Sequence, residues 1–548
     1  MKSTLITLLA ITLAASSCTQ RPVAELLVYN AKIYTVDSSF TVAEAMAIAD
    51  GKILAVGQKS ALESQFQVQE SLDANGKFIY PGFIDAHAHF VAYANGLSTA
   101  DLTGTRSWEE ILSKLQIFAK ENPEGWIIGR GWDQNDWAQQ SFPTNLELNK
   151  LFPDRPVLLT RIDGHAAIAN QKALSIASVN ASLQLTGGEL IVKNGQPTGI
   201  LIDNAVELVN SKVPPISEVS FKKALHKAQE NCLSMGLTTL DDCGLDASTI
   251  EELKKLQKSG ELKLRLYAML SDSKANFEYA EKNGKQIGDR LTVRSFKVYG
   301  DGALGSRGAC LLLPYHDQPD HYGFLLSNPA HFDSVANWCI RNGWQMNTHA
   351  IGDSGNRVIL QTYARYLDHS KKQDLRWRIE HAQVVNKADL GLFANFGIVP
   401  SVQPTHATSD MYWAEERLGK ERIPEAYAYK TLLEQNRWLS LGTDFPVEDI
   451  SPFKTFCAAV FRQDASNWPE GGFQMKEALT REETLRGMTI WAARANFEER
   501  LKGSLEKGKW ADFIILNTDL MKASAREIRN TKVISTYING ERLYSLVK

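Results

Sequence analysis

The sequence predicts an α/β fold: a (β/α)8, TIM-like barrel, a small β-sandwich built from both chain ends, and a subdomain inserted after the first barrel strand. Three observations carry this. Eight strand-like segments alternate with helix-like ones through the middle of the 548-residue chain, and eight βα units close a barrel. Short strand patterns occur at both chain ends. The first two barrel strands lie roughly 150 residues apart, far more than one crossover needs.

The first residues, "MKSTLITLLAITLAASSC", place a lysine before an apolar stretch from Leu5 to Ala15, then small residues ending at Cys18. That stretch is too short to span a bilayer, which takes ~18 apolar residues, and suits a secretory signal. Small residues running into a cysteine resemble the bacterial lipoprotein signal, which implies residues 1–17 as leader and Cys18 as the lipidated mature N-terminus. Such a protein crosses the inner membrane and stays in the envelope, periplasmic or attached to the outer membrane. Ala15-Ser16-Ser17 lacks the usual leucine three residues before the cysteine. A plain signal peptide with an incidental cysteine is the alternative.

Beyond it, "LLVYNAKIYTV", "EAMAIADGKILAVG" and "KFIYPG" read as short strands separated by Gly or Asn-Ala turns, and "ADFIILN" and "VISTYINGERLY" answer at the C-terminus. Residues 19–80 and 503–548 are therefore expected to form the sandwich. The barrel, 81–96 plus 216–502, takes its strands from "GFIDAHAHF", "GLTTLDD", "LRLYAML", "LTVRSFKVYGDG", "WQMNTHA", "RWRIEHA", "GIVPSVQP" and "RWLSLGTDFPV". Helical patterns at Ser220 to Met235 and Asp333 to Asn342 fall between them. Residues 97–215, with "WIIGRGWDQNDW" and "VLLTRIDGHAAIAN", form the insertion.

Composition excludes several partners. Hydrophobic residues at 44% and charged residues at 22% are those of a globular protein, and 60 basic against 63 acidic side chains leave a net charge of −3. That balance gives no electrostatic case for nucleic acid or an anionic membrane surface. A membrane partner is expected through Cys18 only. Cys232, Cys243, Cys310, Cys339 and Cys457 show no CxxC spacing. They read as buried thiols, with one bridge left open.

In such a barrel the strand C-terminal ends share one active-site mouth. Those ends carry His87 and His89 on the first strand, Lys297 on the fourth, His349 on the fifth, His381 on the sixth and Asp444 on the eighth. His87 and His89 are two residues apart and so point the same way from a strand, able to clamp one metal ion. An isolated His-x-His is as often a pair of ordinary polar residues. Metal-compatible groups at several independent strand ends are much harder to assign to chance.

Taken in order, "PGFIDAHAHF", "FKVYGDGALGSRGA", "THAIGD", "RIEHAQ" and "LGTDFPV" resemble the amidohydrolase superfamily, in its YtcJ-like branch that includes N-substituted formamide deformylases. "GSLEKGKWADFIIL" matches the C-terminal signature of its sandwich. The resemblance covers essentially the whole mature chain. It implies a divalent metal centre, usually zinc, of one or two ions. His87 and His89 would hold one ion, His349 and His381 the second, and Asp444 would contact the first. A lysine ammonium has donors and no acceptor; in the family such a lysine is carbamylated to bridge two metals, which would give Lys297 that role. Without carbamylation Lys297 would sit beside a single-metal site as a charge partner. His165 and His406 resemble positions that contact substrate, and a structural role is the alternative for each.

Two other motifs carry less. "GDGALG" fits GxGxxG, but no convincing helix follows before Pro314, which argues against a dinucleotide site. Serine-containing turns such as "GLDAS" lack the GxSxG elbow of a serine hydrolase. Trp126, Trp132, Trp137, Tyr412 and Trp413 are candidates to wall an apolar pocket, Trp132 and Trp413 foremost, though tryptophan more often fills cores. The expected activity is metal-dependent hydrolysis of a non-peptide C–N amide bond, with a small-molecule amide as substrate, Asp444 and Lys297 in catalysis, and a homodimer left open. A cyclic amide, carbamate or ester is the alternative substrate. A ligand-binding lipoprotein without catalysis is the competing class.

Overall fold

The computed structural model describes residues 21–368 and 373–546, so the leader and Cys18 lie outside the described residues. The barrel strands run Phe83–Ala88, Leu237–Leu245, Arg265–Ser271, Leu291–Tyr299, Gln345–Ala350, Arg378–His381, Val399–Val402 and Ser440–Leu441, parallel and in chain order. All eight fall on the segments expected from the sequence. The ring closes where the last strand meets the first: the Asp444 N–H donates to the His87 carbonyl at 2.7 Å, and the His89 N–H to Phe445 at 2.9 Å. Gly442 makes this seam possible, because a β-carbon there would lie 2.5 Å from the His87 nitrogen.

Helices cover the barrel with apolar stripes at helical period. Leu225, Ala228 and Cys232 bury from Glu218–Ser234; Phe332, Val335, Ala336 and Cys339 bury from Pro329–Asn342. Each fully buried large side chain contributes about 1.5–3 kcal/mol. Caps fix where these helices begin. Ser217 accepts from Ser220 N–H, and Asn328 accepts from His331 N–H ahead of Pro329, so both start earlier than the apolar period alone indicates. Among the described residues the cysteines are all free, and no helix is long and apolar enough to cross a membrane.

The chain ends meet in one sheet, where Phe78–Pro81 pairs antiparallel with Phe513–Leu516. A second sheet holds Val23–Tyr29 between Ala45–Ala49 and Gln67–Asp73. Val28, Ile33, Met46, Ile79, Phe513 and Tyr537 share the core between the two. Arg265, at the start of the third barrel strand, ties this layer to the barrel through Asp512, at 2.6 and 3.0 Å.

Between the first two barrel strands lies a separate six-stranded sheet, in the order Gly188–Lys193, Gln196–Asp203, Ala166–Ala169, Val157–Arg161, Ile127–Trp132, Ala100–Asp101. Leu159, Ile168 and Ile202 bury on one face; Leu158, Ala167 and Leu201 bury on the other. Strict alternation with both faces covered explains why these segments read as strongly apolar. The turn from Arg161 to Ala166 carries Asp163, Gly164 and His165, whose ring reaches the histidines at the barrel mouth.

Candidate metal centre

The strand ends bring the predicted groups together around Asp444. Its Oδ1 lies 3.2 Å from His89 Nε2 and 3.5 Å from His87 Nε2; its Oδ2 lies 3.5 Å from His406 Nε2. Lys297 Nζ is 3.2 Å from the same His87 Nε2. His381 packs on His87 at 4.7 Å between ring centroids, and His349 packs on His381 at 4.6 Å. His87, His381 and Asp444 offer ligand atoms within 4.8 Å of one another, all buried. His381 and Asp444 both hold positive φ, +74° and +65°. Two residues with side-chain bulk kept in a disfavoured backbone region at one site point to a function that needs them there.

A second layer orients these rings. His87 Nδ1 lies 2.5 Å from Glu380 Oε2, and His381 Nδ1 lies 2.7 Å from Gln403 Oε1. Arg378 holds Glu380 in turn and also donates to Asp241 at 2.8 Å. Burial would raise Glu380, but Arg378 and His87 outweigh it and bring its pKa down to about 2. Burial, with the Lys297 charge, lowers His87 to about 4, and burial holds His349 and His381 well below the usual imidazole range. Each of these rings is thus held toward the neutral form, the one a metal ligand requires. Asp444 moves the other way: burial would raise it, and the rings of His87, His89 and His381 hold it well below the carboxylate range.

The donor set fits a divalent cation. Asp444 Oδ1 and His406 Nε2 are buried without hydrogen-bond partners. Neutral imidazoles oriented by carboxylate or amide on their far nitrogen, beside an ionised carboxylate, form a metal-binding arrangement.

The insertion roofs this site. His165 Nδ1 lies 2.5 Å from Asp203 Oδ1, and its ring packs 4.9 Å from that of His349. "GDGALGSRG" serves this docking. A β-carbon on Gly302 or Gly308 would lie 2.3 or 2.2 Å from Asp203 Oδ2, so both positions admit the carboxylate only as glycine. Asp301 accepts N–H groups of Cys310, Ile351 and Gly352. No helix follows the motif before Pro314, as expected.

Trp413 is almost fully buried against the loop after the fourth strand, where a β-carbon on Gly305 would touch its ring at 3.2 Å. Trp132 corrects the expectation of a pocket wall. It is fully buried in the insertion core with Trp137 and Phe142, and its indole N–H donates to the Leu159 carbonyl at 2.9 Å. Glu380, Gln403 and Asp203 were not singled out from sequence. Glu380 sits beside His381 in "RIEHAQ", a signal that could have been read; Gln403 and Asp203 carried none.

Fold and site together define a metal-dependent hydrolase of the (β/α)8 class. Residues 70–544 match the model of the Amidohydrolase family, and the chain belongs to that family, in its YtcJ-like branch. It is 34% identical over 540 residues to Protein LONG AFTER FAR-RED 3 of Arabidopsis thaliana, covering 95% of this chain and 92% of that one. To the putative amidohydrolase YtcJ of Bacillus subtilis it is 29% identical, with 93% and 98% covered. To the N-substituted formamide deformylase of Arthrobacter pascens it is 26% identical, with 95% and 98% covered. Among solved structures, an uncharacterized metal-dependent hydrolase from Pyrococcus horikoshii superposes with a TM-score of 0.74 at 28% identity, covering 91% of this chain and 99% of that one.

Proposed function

We propose that the protein hydrolyses a non-peptide amide C–N bond of a small molecule, with Asp444 as the proton carrier. The observation that carries this is Asp444 itself: buried, ionised, backbone-strained, with Oδ1 unpartnered and facing His87 and His89. A bound divalent metal, for which zinc suits the imidazole and carboxylate donors, supplies Lewis-acid activation of water and of the amide carbonyl at neutral pH. His87, His89 and Asp444 would hold it together with His381, whose ligand atom lies within 4.8 Å of those of His87 and Asp444, a grouping that differs from the sequence-based pairing of His381 with His349; His349 and Lys297 would remain beside them for a second ion. Lys297, whose Nζ lies 3.2 Å from His87 Nε2, would bridge two ions if carbamylated and would be a charge partner beside a single ion if not.

The remaining work falls to the chain. Asp444 Oδ takes the proton of the attacking water and delivers it to the amide nitrogen, without which an amine leaves poorly. His165, held by Asp203, and His406, 3.5 Å from Asp444, are placed to hydrogen-bond the carbonyl oxygen as charge builds on it. N-substituted formamides are the first substrates to try, because a relative of that named activity aligns over 95% of the chain.

The test is an amide, carbamate and ester panel assayed for amine and acid release with the wild type and Asp444→Asn. Wild type is expected to release amine from at least one amide. Asp444→Asn should lower kcat on it by at least about a hundredfold, with a smaller loss on activated esters, whose leaving groups need no proton. Near wild-type amide turnover in a folded, metal-containing Asp444→Asn variant would remove Asp444 from this role.

A further inference from the structure

The layer of the insertion that faces the barrel mouth is rich in charge, and nearly all of it is matched. Arg161 pairs with both Asp133 and Asp163. His165 pairs with Asp203. Asp163 is saturated further by the His165 backbone N–H at 3.0 Å. Arg130 is the exception. It projects from Ile127–Trp132 beneath the turn that carries His165, where Nη2 donates to the Ile162 carbonyl at 3.1 Å. Gly164 lies directly on the guanidinium: a β-carbon there would sit 3.5 Å from Nη2 and 3.6 Å from Nη1.

Among the described residues no carboxylate comes within 4.0 Å of Arg130, and its buried Nε has no hydrogen-bond partner. Burial lowers its pKa, against the pull of Asp163 and Asp444, the same carboxylate that sits among the histidines. A half-buried guanidinium without a counter-ion is costly unless something brings one. Free N–H groups on a planar fork match a carboxylate, which they can grip in two-point fashion.

We propose that Arg130 is a specificity residue that binds a carboxylate of the substrate, so that the natural substrate class is an amide carrying a carboxylate group, its scissile carbonyl at the histidine cluster. This rests on the amide-hydrolase reading above and narrows it. The neutral amides that resemble a simple formamide then lack the group this cation waits for. The carboxylate belongs to either the amine or the acyl half, and matched probes separate the two. N-Acetylphenylalanine against N-acetylphenethylamine places it on the amine side; succinic monoanilide against butyranilide places it on the acyl side.

Calorimetric binding of these four probes to the full chain, metal-loaded and chelator-treated, reads the proposal without depending on turnover. In at least one pair the carboxylate member should bind about tenfold or more tightly than its neutral partner. Arg130→Met should collapse that ratio toward one. Arg130→Lys, which keeps the charge and loses the fork, should leave an intermediate ratio and serves if the Met variant does not fold. Equal binding of both members of both pairs by the wild type overturns the proposal, as does a ratio that survives in a folded Arg130→Met protein. Discrimination through Arg130 supports the carboxylate site whether or not these probes are cleaved; a metal-loaded wild type that releases amine from no amide of the panel above, carboxylate-bearing members included, overturns the hydrolytic reading instead.

Discussion

Glu380 shows how one side chain sets the chemistry of another. Its Oε2 faces His87 Nδ1 at 2.5 Å, which turns the Nε2 lone pair of His87 toward Asp444 and Lys297. Because Arg378 keeps Glu380 ionised, with its pKa at about 2, the imidazole gains basicity through its far nitrogen. Glu380→Gln preserves the shape and an oxygen acceptor but removes the charge. Metal affinity should fall about 10–100-fold, read by competition with a chromophoric chelator, with the circular dichroism spectrum unchanged. Unaltered affinity would show that Glu380 only packs. At this scale the sequence was legible where a residue type has few uses. His87, His89, His349, His381 and Asp444 stood at strand ends with little else to do there. Trp132 is ambiguous in the sequence because an indole that fills a core and one that walls a pocket look alike in one dimension, and its place in the structure, with the Leu159 carbonyl beneath its N–H, is in the core. Arg130 gave no signal, since the lack of a partner is a fact of three-dimensional surroundings.

Between elements, the ties are buried polar pairs as much as apolar contact. Arg265 and Asp512 join the third barrel strand to the terminal sheet; both are almost fully buried, and Arg265 also stacks on Trp510 at 3.6 Å. Burial would raise Asp512, yet Arg265 and the Asn539 N–H outweigh it and hold its carboxyl below the ordinary value of 3.8. A depressed folded pKa means stability that is present above about pH 4 and lost as the pH falls through the folded value. Asp512→Asn leaves the guanidinium buried without its counter-ion and should cost about 3–5 kcal/mol at neutral pH, with a smaller loss near pH 3, where the unfolded chain's carboxylate takes up a proton and the wild type has lost part of this contribution. Urea unfolding at both pH values checks this; an equal loss at both would place the effect in packing and not in charge. The strands themselves were plain from alternation and β-branched content, and the helices from their period, with starts set by Ser217 and Asn328. How the insertion docks was not plain. The glycines of "GDGALGSRG" fit a phosphate-binding pattern by spacing alone, and their use, room for Asp203, depends on a residue about 100 positions away.

Over the whole molecule, the barrel supplies the metal-binding groups, and the insertion supplies the roof, with His165 and Arg130 carried on it. The seam that closes the barrel is the backbone of His87, His89, Asp444 and Phe445, so the site and the closure of the fold are one structure. An ion held there joins the first, sixth and eighth strands and should stabilise the folded chain by mass action, by about 2.7 kcal/mol at a free concentration a hundred times its Kd. The central claim is that amide hydrolysis occurs at a metal centre built from His87, His381 and Asp444. The most direct measurement is metal content and amide turnover on one preparation, as isolated, after chelation and dialysis, and after stoichiometric metal is returned. Turnover that disappears with the metal and returns in proportion to the metal restored is the predicted result. Amide turnover that persists undiminished in protein shown to be metal-free would contradict the account.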